Sequence, residues 1–143
     1  MTLRKGRESD LKNVLNIEVM AYEKPYWNQN MLFEVLENKT DKRLWIYEVD
    51  NDAVGFIIDM KHKDEISLLN IAIHKCLQGM GHGIKMLEKY ITSLPNKCSI
   101  YLEVNKNNIK AVNMYTKLNF ERVSIRKSYY TDGGDAINMQ LFK

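Results

Sequence analysis

With 143 residues, 45% apolar and 27% charged, the chain is long enough for one domain with a sizeable core, and we expect residues 1–143 to form it. A formal net charge of +3 is too small to indicate nucleic-acid binding. No apolar run reaches the roughly 20 residues of a membrane span, and no signal-peptide core follows Met1, so we expect a cytoplasmic protein that binds neither membrane nor nucleic acid.

The N-terminal part of the chain predicts a short strand and two helices. Residues 2–7 are expected to form the strand, and Ser9 or Asp10 to cap the first helix, whose apolar residues recur at helical spacing. A second helix is predicted from about residue 29 to 38. Its expected buried residues are Leu32, Phe33 and Leu36.

Three strands are predicted to follow these helices. Residues 44–49 are rich in β-branched and aromatic side chains, and Asp50-Asn51-Asp52 has the composition of a tight turn. Residues 53–61 are therefore expected to pair back as a hairpin. Residues 65–74 then form the third strand.

A glycine-rich segment comes next, where an apolar run ending at Ile73 leads to Gln78-Gly79-Met80-Gly81-His82-Gly83. Glycines allow a ligand to approach the backbone closely. A helical apolar face follows directly, formed by Ile84, Leu87, Tyr90, Ile91 and Leu94. Because the first N–H groups of a helix lack intrahelical partners, this arrangement predicts a phosphate site. The alternative is a glycine-rich start of a helix that binds nothing.

The last segments predict a strand, a helix and a hairpin. Residues 99–104 form the strand, and Asn107 or Asn108 caps the helix. The buried face of that helix is expected to hold Ala111, Met114, Tyr115 and Leu118, and Asn119 to close it in the left-handed conformation. Residues 120–126 and 136–142 form the hairpin. The resulting order of elements predicts a mixed α/β fold.

Neither a disulfide nor a metal site is expected. Cys76 and Cys98 lie in no redox or metal-binding spacing, so we interpret both as free thiols. His62, His74 and His82 form no zinc-type pattern.

The glycine segment also carries a family resemblance. Gln78-x-x-Gly81-x-Gly83 resembles the Q/R-x-x-G-x-G/A signature of the GNAT superfamily of N-acetyltransferases, and the order of elements is similar along the whole chain. Leu102-Glu103-Val104, the helix around Tyr115 and the pair Tyr129-Tyr130 resemble ribosomal-protein-alanine N-acetyltransferases of RimI type. The double tyrosine is also similar to the catalytic subunits of broader protein N-terminal acetyltransferases. The implied fold is α/β, a mixed, mostly antiparallel twisted sheet flanked by about four helices.

The resemblance implies acetyl-coenzyme A (acetyl-CoA) as the co-substrate, without a metal. Its pyrophosphate would be bound by the backbone of residues 79–84, and its pantetheine arm and thioester oxygen by residues 71–73, with the Ile73 N–H as oxyanion donor. The implied contacts are Ile71, Ala72, Ile73, Gln78, Gly79, Met80, Gly81, His82, Gly83, Ile84 and Asn108. Without the resemblance, residues 71–73 are core strand residues and Asn108 is a helix cap. Gly79 departs from the family, in which a cation is often found at this position.

The resemblance also assigns catalytic and substrate-binding residues. Glu103 is implied to be the general base and Tyr115 the general acid. The alternatives are a solvent-facing strand carboxylate for Glu103 and a core aromatic for Tyr115. Tyr129 and Tyr130 would line the peptide entrance or form an exposed hairpin pair. Tyr26 and Trp27 would form the opposite wall or only pack.

The expected activity is transfer of an acetyl group from acetyl-CoA to the N-terminal amine of a protein. The implied substrate is the N-terminal alanine of a small-subunit ribosomal protein, and the expected state is a monomer or weak dimer. One alternative is a related enzyme that acetylates a small amine, such as a polyamine, an amino acid or an antibiotic. Another is a non-catalytic acyl-CoA-binding module.

Overall fold

The computed structural model describes residues 1–21, 28–37 and 41–143. Within these ranges the chain forms seven strands, four α-helices and two short 3₁₀ turns, at Glu8–Asp10 and Lys75–Leu77. The strands and helices, in chain order, are β1 (Thr2–Lys5), α1 (Leu11–Ala21), α2 (Gln29–Leu36), β2 (Lys42–Val49), β3 (Asp52–His62), β4 (Glu65–Ile73), α3 (His82–Ser93), β5 (Ser99–Asn105), α4 (Ile109–Lys117), β6 (Glu121–Arg126) and β7 (Ala136–Phe142). The described helices include none with the length and apolarity needed to cross a membrane.

The seven strands form one mixed sheet in the order β1-β2-β3-β4-β5-β7-β6. Every neighbouring pair is antiparallel except β4 and β5, which are parallel and connected through α3. A parallel pair requires such a crossover connection, whereas the antiparallel pairs can be joined by short turns. The mostly antiparallel sheet and the flanking helices confirm the fold predicted from the sequence.

The sheet is open along part of the β4–β5 boundary. These strands pair only from Glu65 with Ser99 to Ser67 with Tyr101, although both strands continue further. A β-bulge lies just beyond this point, because Asp59 of β3 faces Leu68 while Ile58 faces Asn70. The extra residue in β4 increases the local bend and twist of the strand. Past the bulge, β4 therefore continues beyond its ladder with β5.

Apolar residues on the two faces of the sheet form separate cores. Alternate side chains of a strand point to opposite faces, so Ile46 and Phe56 pack with α1 and α2, whereas Tyr47 and Ile57 pack with α3 and α4. Leu102 and Val104 of β5 also belong to the α3–α4 core. The sheet is thus covered by two helices on each face, and its opening lies between the two helical layers.

A buried polar cluster anchors α3 to the sheet. Asp59 of β3 is fully buried and accepts hydrogen bonds from Arg43 Nε at 2.8 Å and from the Tyr90 hydroxyl at 2.5 Å. Burial and the neighbouring Asp59 raise the pKa of Tyr90, so its hydroxyl keeps its proton and acts as the donor. Trp45 packs edge-on against Tyr90 at a centroid distance of 5.9 Å. Because Tyr90 belongs to α3, this cluster fixes the helix that follows the glycine segment.

Two predictions about the N-terminal helices are wrong in detail. Phe33 is 39% exposed rather than buried, because Leu32 and Val35, three residues apart, occupy the face of α2 that packs on the sheet. Neither Ser9 nor Asp10 is the cap of an α-helix. Asp10 lies in the 3₁₀ turn before α1, where its carboxylate accepts a hydrogen bond from the Arg7 N–H at 2.7 Å.

The ends of α4 follow the sequence closely. Asn108 is the N-cap, and its side chain accepts a hydrogen bond from the Ala111 N–H at 3.3 Å. Asn119 has φ of 72° and closes the helix in the left-handed conformation. On the buried face, Tyr115 is joined by Val112, which the sequence interpretation missed. The predicted members Ala111, Met114 and Leu118 are only partly buried.

Candidate active site

The opening between β4 and β5 contains a cavity of about 850 Å³. Its walls come from β3, β4, β5, α4, β6, β7 and the segment of residues 127–135 that connects the last two strands. Six of the residues predicted as functional line it: Ile71, Glu103, Asn108, Tyr115, Tyr129 and Tyr130. The structure therefore brings residues from distant parts of the chain into one concave site.

Glu103 lines the cavity from the middle of β5. Its neighbours Leu102 and Val104 point into the α3–α4 core, so strand alternation turns Glu103 toward the opposite face. The Glu103 side chain is 34% exposed, and its Oε1 lies 3.6 Å from Nη2 of Arg126 on β6. Glu103 is thus a partly shielded carboxylate in a cleft, with a cation beside it.

Tyr115 reaches the same cavity from α4. Its side chain is 5% exposed and packs edge-on against Phe120 at a centroid distance of 5.7 Å. Tyr115 shares the α3–α4 core with Leu102, on the face of β5 opposite to Glu103. The proposed base and the proposed acid therefore approach the opening from opposite faces of the sheet. Tyr115 lines the cavity and also belongs to the α3–α4 core, so a role as general acid and a role as a core aromatic are compatible.

Polar side chains extend from Glu103 across the last hairpin. Glu103 pairs with Asn138 of β7, which in turn pairs with Ser124 of β6, and the Asn138 amide donates a hydrogen bond to the Ser124 hydroxyl at 2.8 Å. All three residues line the cavity, as does Arg126. Asn138, Ser124 and Arg126 were not predicted from the sequence as site residues. Asn138 could have been recognised from the sequence, because it is a polar residue between the apolar Ile137 and Met139 of a predicted strand.

The two tyrosines stand at the edge of the cavity. Tyr129 and Tyr130 pack edge to face, with centroids 5.1 Å apart and an interplanar angle of 85°. Tyr129 is 54% exposed. Both rings line the cavity, so they form part of its wall rather than only an exposed pair. Tyr26 and Trp27, predicted to form the other wall, lie outside the described residues.

Hydrogen bonds hold the tyrosine segment against the end of β5. The Asp132 carboxylate accepts from the Gly134 N–H at 2.8 Å and from the Asn105 side chain, and the first of these bonds lowers the pKa of Asp132. A Cβ at Gly134 would collide with Asn105 Oδ1, so no larger residue fits there without rearrangement. Ser128 N–H donates to Asp135 at 2.9 Å. The segment that carries Tyr129 and Tyr130 is therefore tied to the strand that carries Glu103.

The glycine segment forms the predicted turn between β4 and α3. Gly79 and Gly81 have φ of 80° and 83°, a conformation that glycine adopts far more easily than other residues. A Cβ at either position would contact nothing within 4 Å, so the backbone there is accessible. The Gln78 side-chain amide donates to the Ile73 carbonyl at 3.0 Å and fixes the turn to the end of β4. The α-helix starts at His82.

The remaining predicted contacts surround this turn. His82 Nδ1 lies 3.0 Å from the Tyr47 hydroxyl, which orients the first residue of α3. Gly83 lies close to α4, since a Cβ there would be 3.2 Å from the Met114 sulfur. Ala72 and Ile73 are buried in β4 past the bulge. The parts of the chain that the structure describes contain no cluster of three or more His, Cys, Asp or Glu side chains that could hold a metal.

Gly81→Ala is expected to destabilise the fold by about 1–2 kcal/mol, because an L-residue must adopt the left-handed conformation at φ of 83°. Gly83→Ala is the matched control. Its backbone is helical, so alanine gains up to about 1 kcal/mol of helix propensity there, offset by the contact with the flexible Met114 side chain. Urea unfolding of both variants measures the difference. Equal stabilities would contradict the conformational role of Gly81.

The candidate site thus combines an open sheet boundary, a glycine turn before a helix, and a carboxylate and a tyrosine that reach one cavity from opposite faces of the sheet. The model of the acetyltransferase (GNAT) family matches residues 11–120, and the chain belongs to this family. Over 125 residues the chain is 35% identical to the [ribosomal protein bS18]-alanine N-acetyltransferase of Haemophilus influenzae, covering 85% of this chain and 82% of that protein.

Solved structures show the same similarity. The crystal structure of the ribosomal-protein-S18-alanine N-acetyltransferase from Escherichia coli has a TM-score of 0.87 at 30% identity, over 98% of this chain and 92% of that chain. A mutant spermidine N-acetyltransferase from Vibrio cholerae has a TM-score of 0.80 at 22% identity, over 99% and 95% of the two chains. The second similarity shows a shared fold alone. The resemblance predicted from the sequence is thus confirmed at the level of the family and of its ribosomal-protein-modifying members.

Proposed function

We propose that the protein transfers an acetyl group from acetyl-CoA to the N-terminal α-amino group of a protein, as one domain spanning residues 1–143. The leading substrate is the N-terminal alanine of a small-subunit ribosomal protein, which would place the reaction in the cytoplasm. The observation that supports this most is the cavity in the sheet, where Glu103 lies on one face and Tyr115 on the other, beside two tyrosine rings. The relatives that act on ribosomal protein bS18 support the choice of substrate.

The residues around the opening fit acetyl-CoA. Gly79 and Gly81 leave the backbone accessible, and the start of α3 offers N–H groups that suit a pyrophosphate. The pairing of β4 with β5 ends at Ser67 with Tyr101, so the β5-facing edge of residues 71–73 lies at the opening and is suited to an amide-containing pantetheine arm. Acetyl-CoA would be held by residues 71–73, 78–84 and Asn108, and it supplies an activated acetyl thioester.

Glu103 can then accept a proton from the amine, and Tyr115 can give one to the leaving sulfur. An α-amino group has a pKa of about 7.7–8.0, so part of it is already neutral at physiological pH and the base has one proton to accept. Glu103 accepts that proton at its carboxylate, directly or through water. The Ile73 N–H is suited to stabilise the oxyanion, a contribution that can reach roughly 3 kcal/mol. Tyr115 holds a proton at its hydroxyl on the opposite face, where the leaving sulfur needs one.

The charges of the cavity favour a protein N-terminus over a polyamine. A polyamine carries several positive charges and is best bound by several carboxylates. Among the described residues that line the cavity, Glu103 is the one carboxylate and Arg126 the one cation. The Tyr129 and Tyr130 rings offer a rigid, amphipathic surface for a peptide instead. A non-catalytic acyl-CoA-binding module would not need Glu103 and Tyr115 in these positions.

One assay tests the substrate class directly. Release of coenzyme A is measured with an Ala-starting peptide, the same peptide with a blocked N-terminus, and spermidine. We expect turnover with the free peptide and none with the blocked one, because the α-amine is the acceptor. Turnover with spermidine alone would contradict the proposal and favour a small-amine enzyme. Binding of acetyl-CoA without turnover of any acceptor would favour the non-catalytic module.

A further inference from the structure

Within the described ranges, Arg126 is the one charged residue that pairs with the proposed base. Its Nη2 lies 3.6 Å from Glu103 Oε1, and among the described residues that line the cavity no other cation faces this carboxylate. A guanidinium at this distance attracts the carboxylate and favours one orientation of it.

Arg126 also contacts the aromatic wall of the cavity. Its Cζ lies 5.5 Å from the centre of the Tyr129 ring, a distance at which a guanidinium is attracted to the ring face. Tyr129 packs in turn against Tyr130. The planar guanidinium can pair with a carboxylate and stack on a ring at once, whereas the compact ammonium of lysine is less suited to the stacking. One side chain therefore connects the base to the peptide entrance.

We propose that Arg126 is a positioning residue, which orients the Glu103 carboxylate and holds the Tyr129 ring at the peptide entrance. The inference rests on the proposed function, because it takes Glu103 as the base and the tyrosines as the peptide wall. Arg126 acts through these two partners and needs no bond to the reacting atoms. Its side chain is 59% exposed, and exposed ion pairs of this kind add little to folding stability. Arg126 can therefore be replaced without unfolding the protein.

Arg126→Gln is expected to lower kcat for the Ala-starting peptide roughly five- to tenfold and to raise the KM for that peptide, in line with the coupling of residues in direct contact. The KM for acetyl-CoA is expected to stay unchanged. Arg126→Lys is expected to recover part of kcat, since it restores the charge, but less of the peptide KM, since it stacks less well. Arg122→Gln is the matched control, because Arg122 lies on the same strand and outside the cavity. It is expected to behave as wild type.

The double variant Glu103→Gln/Arg126→Gln distinguishes a positioning role of Arg126 from a general disturbance of the site. If Arg126 acts through Glu103, Arg126→Gln should cause no further loss of kcat in a Glu103→Gln background. Additive losses, or full activity of Arg126→Gln, would overturn the role of Arg126 while leaving the proposed function intact. A wild-type enzyme that does not acetylate the free peptide would overturn the proposed function and this inference with it. The three outcomes are distinct in one set of kinetic measurements.

Discussion

Glu103→Gln is expected to lower kcat for peptide acetylation by about 100-fold or more, the range that general-base catalysis contributes. Glutamine keeps the shape of the side chain and its place in β5, but its amide cannot accept the proton of the incoming amine. The residues proposed to bind acetyl-CoA lie on β4, the glycine turn, the start of α3 and the N-cap of α4, so binding of the co-substrate should be preserved. Steady-state kinetics with the free peptide and calorimetric titration with acetyl-CoA measure the two quantities separately.

Two further variants control this experiment. Glu121→Gln removes a strand carboxylate of β6 that lies outside the cavity, and it should leave the kinetics unchanged. Tyr115→Phe removes the proposed acid but keeps the ring packed against Phe120, so it should also slow turnover while preserving the fold. If Glu103→Gln retained the wild-type rate, Glu103 would be a structural strand carboxylate and the base would have to be sought elsewhere. A parallel loss of acetyl-CoA binding would indicate a distorted site rather than a missing base.

Local patterns in the sequence were sufficient to predict the elements that carry the site. Strand alternation around Glu103 indicated that it lies opposite Leu102 and Val104, and the structure confirms this orientation. The glycines predicted a turn before α3, and Gly79 and Gly81 adopt the positive φ values that such a turn requires. These features depend on residues close together in the chain. Their proposed chemical roles stay predictions that the variants above test.

Long-range geometry could not be predicted in the same way. The opening between β4 and β5 depends on where their pairing stops and on the bulge at Leu69, which no local pattern specifies. The proximity of Arg126 to Glu103 depends on the register of the last hairpin against β5. Phe33 was expected to be buried from hydrophobicity alone, but the direction in which α2 packs exposes it. Tertiary packing decided each of these points.

Asp59 is a further residue whose role only the structure reveals. In the sequence it is one acidic residue after the apolar run Phe56-Ile57-Ile58, inside the predicted strand of residues 53–61, and no role was predicted for it. In the structure its side chain is fully buried and paired with Arg43, and the Tyr90 hydroxyl and the Trp45 indole N–H also donate to it. Three elements, β2, β3 and α3, therefore meet at one carboxylate.

Asp59→Ala is expected to destabilise the protein by about 3–5 kcal/mol, the cost of removing one partner of a buried ion pair. The variant would leave the Arg43 guanidinium without its carboxylate and the Tyr90 hydroxyl without its acceptor, in a region from which water is largely excluded. Urea unfolding gives the change in the free energy of unfolding. Asp10→Ala offers a comparison, because the Asp10 carboxylate is also paired with an arginine and its side chain is 6% exposed, against 0% for Asp59.

The double variant Arg43→Met/Asp59→Leu shows whether the cost comes from the unpaired charge or from the cluster itself. Replacing both members of a buried ion pair by apolar residues of similar volume is often neutral for stability or raises it. We therefore expect the double variant to recover most of the stability lost in Asp59→Ala. If it stays as unstable as the single variant, the hydrogen bond from Tyr90 must carry the stabilisation. Because Tyr90 anchors α3, that result would also predict weaker acetyl-CoA binding at the glycine turn.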